Sequence, residues 1–283
     1  MSVLLLGSTG YLGSNVARSL SDSGYHVFCV VRRTSDLTYV KRIKNVHLIS
    51  NDPGQIELTF EQEEINWIIN SVTTYKPDEY LYGSMLESNV IFPLSVLNLA
   101  IKNKIKNYMT IGTGLPENFN VYSFTKAKFS DFGKFLSIKD GINFADLRLE
   151  LFYGGENEPD SRFMKSCGIK MKNNEPVDLT EGSQLRDIVR VEDVIEIICK
   201  LIESDYVKGY KSLPIGSGEQ HSIREIMEFM KETVGSTSQL NFGAVPTRDR
   251  EPDTIADISW YKVLGYKPLY GFYEGIKDYI ANI

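Results

Sequence analysis

Histidine and cysteine are scarce: three of each occur in 283 residues, and they do not cluster. His26, His47 and His221 have no metal-ligand spacing among themselves or with Cys29, Cys167 and Cys199, so no metal centre is expected. An odd number of widely separated cysteines also argues against a disulfide framework and fits reduced thiols in the cytoplasm. Long apolar runs are missing as well. A stretch such as Val27–Val31 is far too short to span a bilayer. The N-terminus has no basic segment leading into an apolar one, so neither export nor membrane attachment is expected. Extended basic runs are absent. The balance of 31 basic and 37 acidic residues gives a net charge of −6, which argues against a nucleic-acid partner. A local patch for a phosphorylated ligand stays open.

What is present is ordinary core-forming material, 42% hydrophobic and 24% charged. In the first half, apolar runs of strand length alternate with helical patterns. Predicted strands are Val3–Leu6, Val27–Val31, Val46–Ile49, Trp67–Asn70, Tyr108–Ile111 and Phe144–Leu149. Helices are predicted over Gly13–Ser23, Ser88–Lys102 and Ser123–Phe135. Such alternation calls for an α/β fold with a doubly wound parallel sheet and right-handed crossovers. From about Leu151 the pattern becomes irregular, with helices predicted around Arg162–Lys172 and Ile223–Thr233 and a strand near Val177–Leu179. The expected organisation is a sheet domain over residues 1–160, with 184–216 returning to it, and a smaller substrate lobe over 161–283.

Gly7, Gly10 and Gly13 lie between the first strand and the first helix, with Thr9, Tyr11 and Leu12 among them. A glycine turn there brings backbone close to a pyrophosphate, and the helix N-terminus adds open N–H groups and a positive dipole end. These residues are the candidate dinucleotide cradle of a Rossmann-type domain. The spacing, GxxGxxG, makes the turn one residue longer than GxGxxG. The second strand ends in Arg32-Arg33, where an NAD site usually carries an acid for the ribose 2′-hydroxyl. Two cations suit a 2′-phosphate, so NADP(H) is favoured and NAD(H) stays open; a solvated basic loop is the plainer alternative. Asp52, after the third strand, is read either as an adenine contact or as a simple turn.

Tyr122 and Lys126 fall one helical turn apart, so an ammonium faces a phenol. Such a pair can move a proton, since a nearby cation makes the phenol a better acid. The same spacing recurs at Tyr273 and Lys277, so spacing alone decides nothing. Thr113, following the predicted strand Tyr108–Ile111, sits at the carboxyl edge where open α/β sheets bind ligands. Tyr273/Lys277 has no such hydroxyl beside it and reads as a surface pair.

These pieces, in this order, resemble the extended short-chain dehydrogenase/reductase family, also called the NAD-dependent epimerase/dehydratase family, over nearly the whole chain. Further matching segments are Glu87-Ser88-Asn89-Val90, Tyr153-Gly154-Gly155, Arg186 to Val194, Ile215 to Gly218 and Arg248 to Pro252. The resemblance implies that Thr113, Tyr122 and Lys126 are catalytic and that Lys126 also binds the nicotinamide ribose. It implies that Ser71 and Val72 line the cofactor and that Thr73, Tyr75 and Asn89 lie on the substrate side. Arg186 and Arg248 would hold the diphosphate of a nucleotide-sugar. For Arg186, pairing with Asp187 or Asp193 is the alternative; Asn89 has helix packing as its alternative. A homodimer is common in the family and is left open.

Departures narrow the reaction. Gly112 replaces the usual Ser before Thr113, and the acid pair that 4,6-dehydratases carry after the Thr is absent. The short loop from Thr113 to Val121, together with Asn70–Tyr75, is similar to CDP-abequose and CDP-paratose synthase-type 4-reductases. The resemblance therefore implies NADPH-dependent reduction of the 4-keto group of a nucleotide-linked deoxyhexose, CDP-4-keto-3,6-dideoxyglucose first, in surface polysaccharide biosynthesis. An NAD-dependent nucleotide-sugar 4-epimerase and a non-catalytic NADP(H)-sensing protein are the alternatives.

Overall fold

A computed structural model of the chain describes residues 1–75, 82–247 and 251–283; Arg248 therefore lies outside the described residues. The six predicted strands are all present, as β1 (Ser2–Leu6), β2 (His26–Val31), β3 (Val46–Ser50), β4 (Ile65–Asn70), β5 (Asn107–Ile111) and β6 (Asn143–Leu149). Shorter strands follow: β7 (Leu151–Tyr153), β8 (Val177–Leu179), β9 (Leu185–Arg186), β10 (Ile188–Arg190), β11 (Tyr210–Ile215), β12 (His221–Ser222) and β13 (Leu240–Phe242). One seven-stranded sheet has the order β11-β6-β5-β4-β1-β2-β3. The ladders β3–β2, β2–β1, β1–β4, β4–β5 and β5–β6 are parallel, so the fold is the expected doubly wound sheet. Strand β1 is apolar and buried from Val3 to Leu6 because it is central and covered on both faces.

Two elements escape the apolar pattern for physical reasons. Strand β11, Tyr-Lys-Ser-Leu-Pro-Ile, contains Pro214, which an edge strand tolerates because it needs fewer ladder bonds. The helix Pro53–Gln62 begins with Pro and Gly and buries only Ile56, Thr59 and Phe60. It is started by Asp52, whose carboxylate accepts from the N–H groups of Gly54 (3.0 Å) and Gln55 (3.2 Å).

The chain folds as two units. The first comprises Met1–Thr113, Asn120–Arg148 and Ile197–Leu213; the second comprises Gly114–Phe119, Leu149–Glu196 and Pro214–Ile283. In the first unit a helix runs from Tyr82 to Lys102, widening into a π-turn over Glu87–Ile91. Pro93 lacks an N–H and would crowd the carbonyl four residues earlier in a regular helix; the widening just before it relieves that clash. Among the described residues this helix is the one long and apolar enough to cross a bilayer. Here it packs Val90, Val96, Leu97 and Ala100 into the core of its unit.

The second long helix, Val121–Asp140, starts with a capping box between Asn120 and Ser123 and stops at Gly141, whose φ of 75° suits glycine. It docks through Phe129 onto Tyr108 and Phe144, with ring centroids 6.0 and 5.8 Å away, while Phe144 stacks on Tyr108 at 5.4 Å. Gly133 sits against the Phe144 ring so closely that an added Cβ would lie 2.2 Å from its Cζ. Those rings fix the height of the helix above β5 and β6.

The second unit has its own core, in which Met164, Met171, Ile226, Met230 and Ile276 pack under Tyr153 and Tyr279. Arg190, largely buried, forks onto Glu192 (2.9 Å), pairs with Asp278 (3.0 Å) and lies over the Tyr153 and Tyr270 rings.

Phe144→Ala should lower unfolding stability by about 3–5 kcal/mol in urea titrations, because a fully buried ring is removed from a three-ring contact. A loss below about 1 kcal/mol would mean that the helix is held elsewhere.

Candidate active site

The turn after β1 is built for close approach. Gly7 has φ +78°, and an added Cβ would meet the carbonyl carbon and Oγ of Ser71 and the N of Val72, each at 2.8 Å. At Gly13 an added Cβ would sit 2.1 Å from the Gly7 carbonyl oxygen. Gly10 differs: it is exposed and meets only that same oxygen, at 3.3 Å. It is the N-cap of the helix Tyr11–Asp22 and brings no side-chain acceptor, so the first N–H groups of this helix suit an anionic group such as a phosphate. Leu12 is buried, which leaves its backbone rather than its side chain to face a ligand. Thr9 and Tyr11 are half-buried in the same turn. The residues present thus fit a dinucleotide pyrophosphate.

Arg32 and Arg33 stand exposed just beyond β2, with the Arg32 N–H tied to Ser35 Oγ at 3.1 Å. Asp52, read as an adenine contact or a turn, caps a helix with one carboxylate oxygen.

The segment after β4 is held at several points. Ser71 donates its N–H (3.0 Å) and hydroxyl (2.8 Å) to the Leu6 carbonyl, locking this segment to the end of β1. Asn89, in the π-turn and 1% exposed, accepts from the Thr74 N–H at 2.9 Å. It donates to the Thr74 carbonyl at 3.2 Å and to Thr125 Oγ1 at 3.0 Å. Its amide is therefore engaged within the chain, which matches the packing alternative. Thr73 and Tyr75 are exposed on this segment, and the Tyr75 ring meets that of Tyr122 edge-on at 4.9 Å.

Lys126 joins these parts. Its buried ammonium donates to the Val72 carbonyl and to the Ile111 carbonyl, both at 2.9 Å. Two of its three donors thus tie the helix Val121–Asp140 to the ends of β4 and β5, leaving a third for a ligand hydroxyl. Burial pulls its pKa down to about 8, and the charge of Asp146 opposes that fall. Tyr122 lies one turn earlier on the same helix, half-buried, and Thr113 follows the Ile111 carbonyl that Lys126 grips. A phenol, an ammonium and a hydroxyl beside this glycine turn have the chemistry to deliver a proton to an oxygen that gains charge.

One charged neighbour escaped the sequence reading. Asp146 stands in the middle of β6, 6% exposed, and its Oδ2 accepts from Ser130 Oγ at 2.7 Å. Burial raises its pKa, while Ser130, Arg148 and Lys126 oppose the rise. The available signals were an acid within an otherwise buried strand and the glycine at 112. A Cβ on Gly112 would lie 2.2 Å from Asp146 Oδ1.

In the second unit Arg186 is buried and paired with Glu251 at 2.5 Å, and it donates to the Leu185 carbonyl at 2.8 Å and to the Pro252 carbonyl. The pairing partner is therefore neither Asp187 nor Asp193. Asp187 instead gathers the N–H groups of Ser217, Gly218 and Ala256 at 2.7, 3.0 and 3.1 Å. Asp193 accepts from the Tyr266 hydroxyl and from the Leu269 N–H at 2.6 Å. The Arg186-to-Val194 segment thus earns its acids by folding the loops around it. Tyr273 is exposed on the helix Phe272–Asn282 of this unit, with Lys277 over the Phe229 ring at 6.0 Å, as a surface pair would be.

Residues 3–216 match the model of the NAD dependent epimerase/dehydratase family. CDP-abequose synthase of Salmonella typhimurium is 27% identical over 99% of this chain and 98% of its own length. The Salmonella muenchen enzyme of the same name is 23% identical over 99% and 97%. Among solved structures, UDP-glucose 4-epimerase of Thermotoga maritima, in a structure with UDP-glucose, superposes with a TM-score of 0.87. It is 21% identical, with 99% of this chain and 98% of that one covered. The chain belongs to the NAD-dependent epimerase/dehydratase family, the extended short-chain dehydrogenases/reductases, and is an NAD(P)-dependent enzyme.

Proposed function

We propose that the protein reduces the 4-keto group of a nucleotide-linked deoxyhexose with NADPH, CDP-4-keto-3,6-dideoxyglucose being the first substrate to try. The observation that carries this reading is the chemistry of the Thr113 loop. Elimination of water needs an acid and a base beside the catalytic hydroxyl, and Gly114-Leu115 supplies neither. The space beside Gly114 is taken by the buried Glu150 carboxyl, whose Oε1 would lie 2.1 Å from an added Cβ; Tyr122, Thr113 and Lys126 then supply the proton donor and electrostatic support that ketone reduction requires. Full-length similarity to CDP-abequose synthases supports the same substrate class.

NADPH, when bound, supplies the hydride. In this reading Tyr122 gives its phenolic proton to the C4 oxygen as negative charge develops there. The Thr113 hydroxyl orients that oxygen; a preorganised donor at such a site contributes about 3–4 kcal/mol to lowering the barrier. Lys126 keeps a positive charge beneath Tyr122 and offers its third N–H to a ribose hydroxyl. The exposed guanidinium groups of Arg32 and Arg33 suit a 2′-phosphate better than a bare hydroxyl. Arg186 would reach a diphosphate only by sharing or exchanging Glu251, so we assign it a secondary part; Arg248 is kept as a second candidate cation.

A homodimer is part of the proposal. Leu86 and Ile91 on one helix and Phe124, Phe132, Phe135 and Ile138 on the other are exposed, Ile138 by 77%. Two neighbouring helices with apolar outer faces suit a two-helix contact repeated by a second copy.

With a panel of CDP-, dTDP-, GDP- and UDP-4-keto sugars, NADPH absorbance should fall in step with product formation for one of them. Epimer formation without net NADPH loss would establish the epimerase instead. Tyr122→Phe should lose at least about a hundredfold in turnover while still binding NADPH, and near-wild-type reduction would overturn its role. Arg32→Ala should weaken NADPH binding tenfold or more, equivalent to about 1.4 kcal/mol, yet leave NADH nearly unchanged. Light scattering should give a dimer that Phe132→Glu combined with Phe135→Glu converts to monomer; a wild-type monomer would refute the contact.

A further inference from the structure

Asp146 is a buried acid that the reaction just described does not use. Its Oδ1 has no hydrogen-bond partner and faces Gly112, where a Cβ would lie 2.2 Å away. The Gly112 N–H is held by the Leu147 carbonyl at 2.8 Å, so this segment of backbone cannot drift from β6. Lys126 grips the Ile111 carbonyl, one peptide plane from Gly112. The ammonium and the carboxylate therefore approach the same peptide, both out of water.

The other carboxylate oxygen is fed by a chain of donors. Ser130 has one hydroxyl hydrogen and gives it to Asp146 Oδ2, so at the 2.8 Å contact between Ser130 and Tyr210 it is Tyr210 that donates. Donors aimed at a carboxylate favour its ionised form. Around Asp146 the remaining charged groups are Lys126 and Asp131 on the helix and Arg148 on β6. Of these, Lys126 is buried with the acid, and Arg148 and Asp131 are exposed, where water screens them.

We propose that Asp146 is a positioning residue: its buried carboxylate is the counter-charge that keeps the Lys126 ammonium charged and bound to its two carbonyls, and residue 112 is glycine to make room for it. The usual serine at 112 would drive its Cβ into that oxygen. A side chain at 112 is thus given up in exchange for the room that the Asp146 carboxyl takes. A neutral Lys126 would lose both its hold on Tyr122's acidity and one of its donors, so the counter-charge extends the working range of the site towards alkaline pH. The inference takes Lys126 as the ammonium of the proposed reaction, and its test requires no turnover.

The test is a titration of the protein labelled biosynthetically with ¹³C at lysine Cε, followed by NMR, with the Lys126 signal assigned by its loss in Lys126→Arg. In the wild-type protein Lys126 should titrate at about 8. In Asp146→Asn, which keeps the shape and removes the charge, it should titrate about one pH unit or more lower. Asp146→Ala is titrated beside it, so that misfolding of one variant leaves the other to decide. An unchanged Lys126 titration in either folded variant would overturn the counter-charge. For the second clause, Gly112→Ala should lower the melting temperature in the wild-type background and much less in Asp146→Ala. Equal losses in both would overturn the exchange. Failure of every 4-keto sugar in the reduction panel would sink the proposed function while leaving these titrations intact.

Discussion

The Lys126 ammonium, out of water and bonded to the Val72 and Ile111 carbonyls, ties together the parts on which the candidate chemistry depends. Placing a charge in the interior is unfavourable unless donors and acceptors are matched, and here two carbonyls at adjacent strand ends provide the match. That match exists only if the helix Val121–Asp140 sits at one height above the sheet. Phe129 and Gly133, pressed on Tyr108 and Phe144, set that height, and the Asn120 capping box sets where the helix begins. A slip of one turn would carry Tyr122 and Lys126 past the ends of β4 and β5. Apolar packing well below the site is thus what aims its polar groups.

The cofactor side is bound to the same frame. Ser71 is bonded to the Leu6 carbonyl and packs against Gly7 and Gly13, so the glycine turn and the segment carrying Val72 move together. Since Val72 accepts from Lys126, the glycine turn and the Lys126 ammonium are linked through the segment that carries Ser71 and Val72. Asn89 closes the remaining gap by joining Thr74 to Thr125. Its π-turn setting follows from Pro93, so a backbone irregularity that looks like a defect serves to present this amide.

Much of this was legible in the sequence because it rests on local pattern. Six strands announced themselves as apolar runs, although β3 at the sheet edge is largely exposed, and the order of Gly7, Thr113, Tyr122 and Lys126 along an alternating chain pointed to one sheet edge. The helix Pro53–Gln62 was obscured because its cap, Asp52, also suits a turn. Arg186 illustrates a harder limit. Its candidate partners were neighbours in sequence, Asp187 and Asp193, but the structure pairs it with Glu251 across a loop. Asp146 was hidden for the same reason, since its meaning depends on Gly112 and Lys126, which come from β5 and from the helix.

Reading Gly112 as the loss of a serine hydroxyl makes the site look weakened. Seen with Asp146, the same change removes a neutral donor and makes room for a buried carboxyl group beside the peptide that Lys126 grips. Under the proposed counter-charge the ionised carboxyl supports the positive charge of Lys126, and that charge favours the ionised form of Tyr122 and so eases proton release. Reduction needs one such release per turnover, from Tyr122 to the C4 oxygen, and no base at C5 or acid at C6. The chain lacks that second pair at Gly114-Leu115 and has a buried carboxyl group, Asp146, behind Gly112. In the proposed reduction the missing pair is not needed, and the buried carboxyl stands behind the Lys126 ammonium that supports the proton donor.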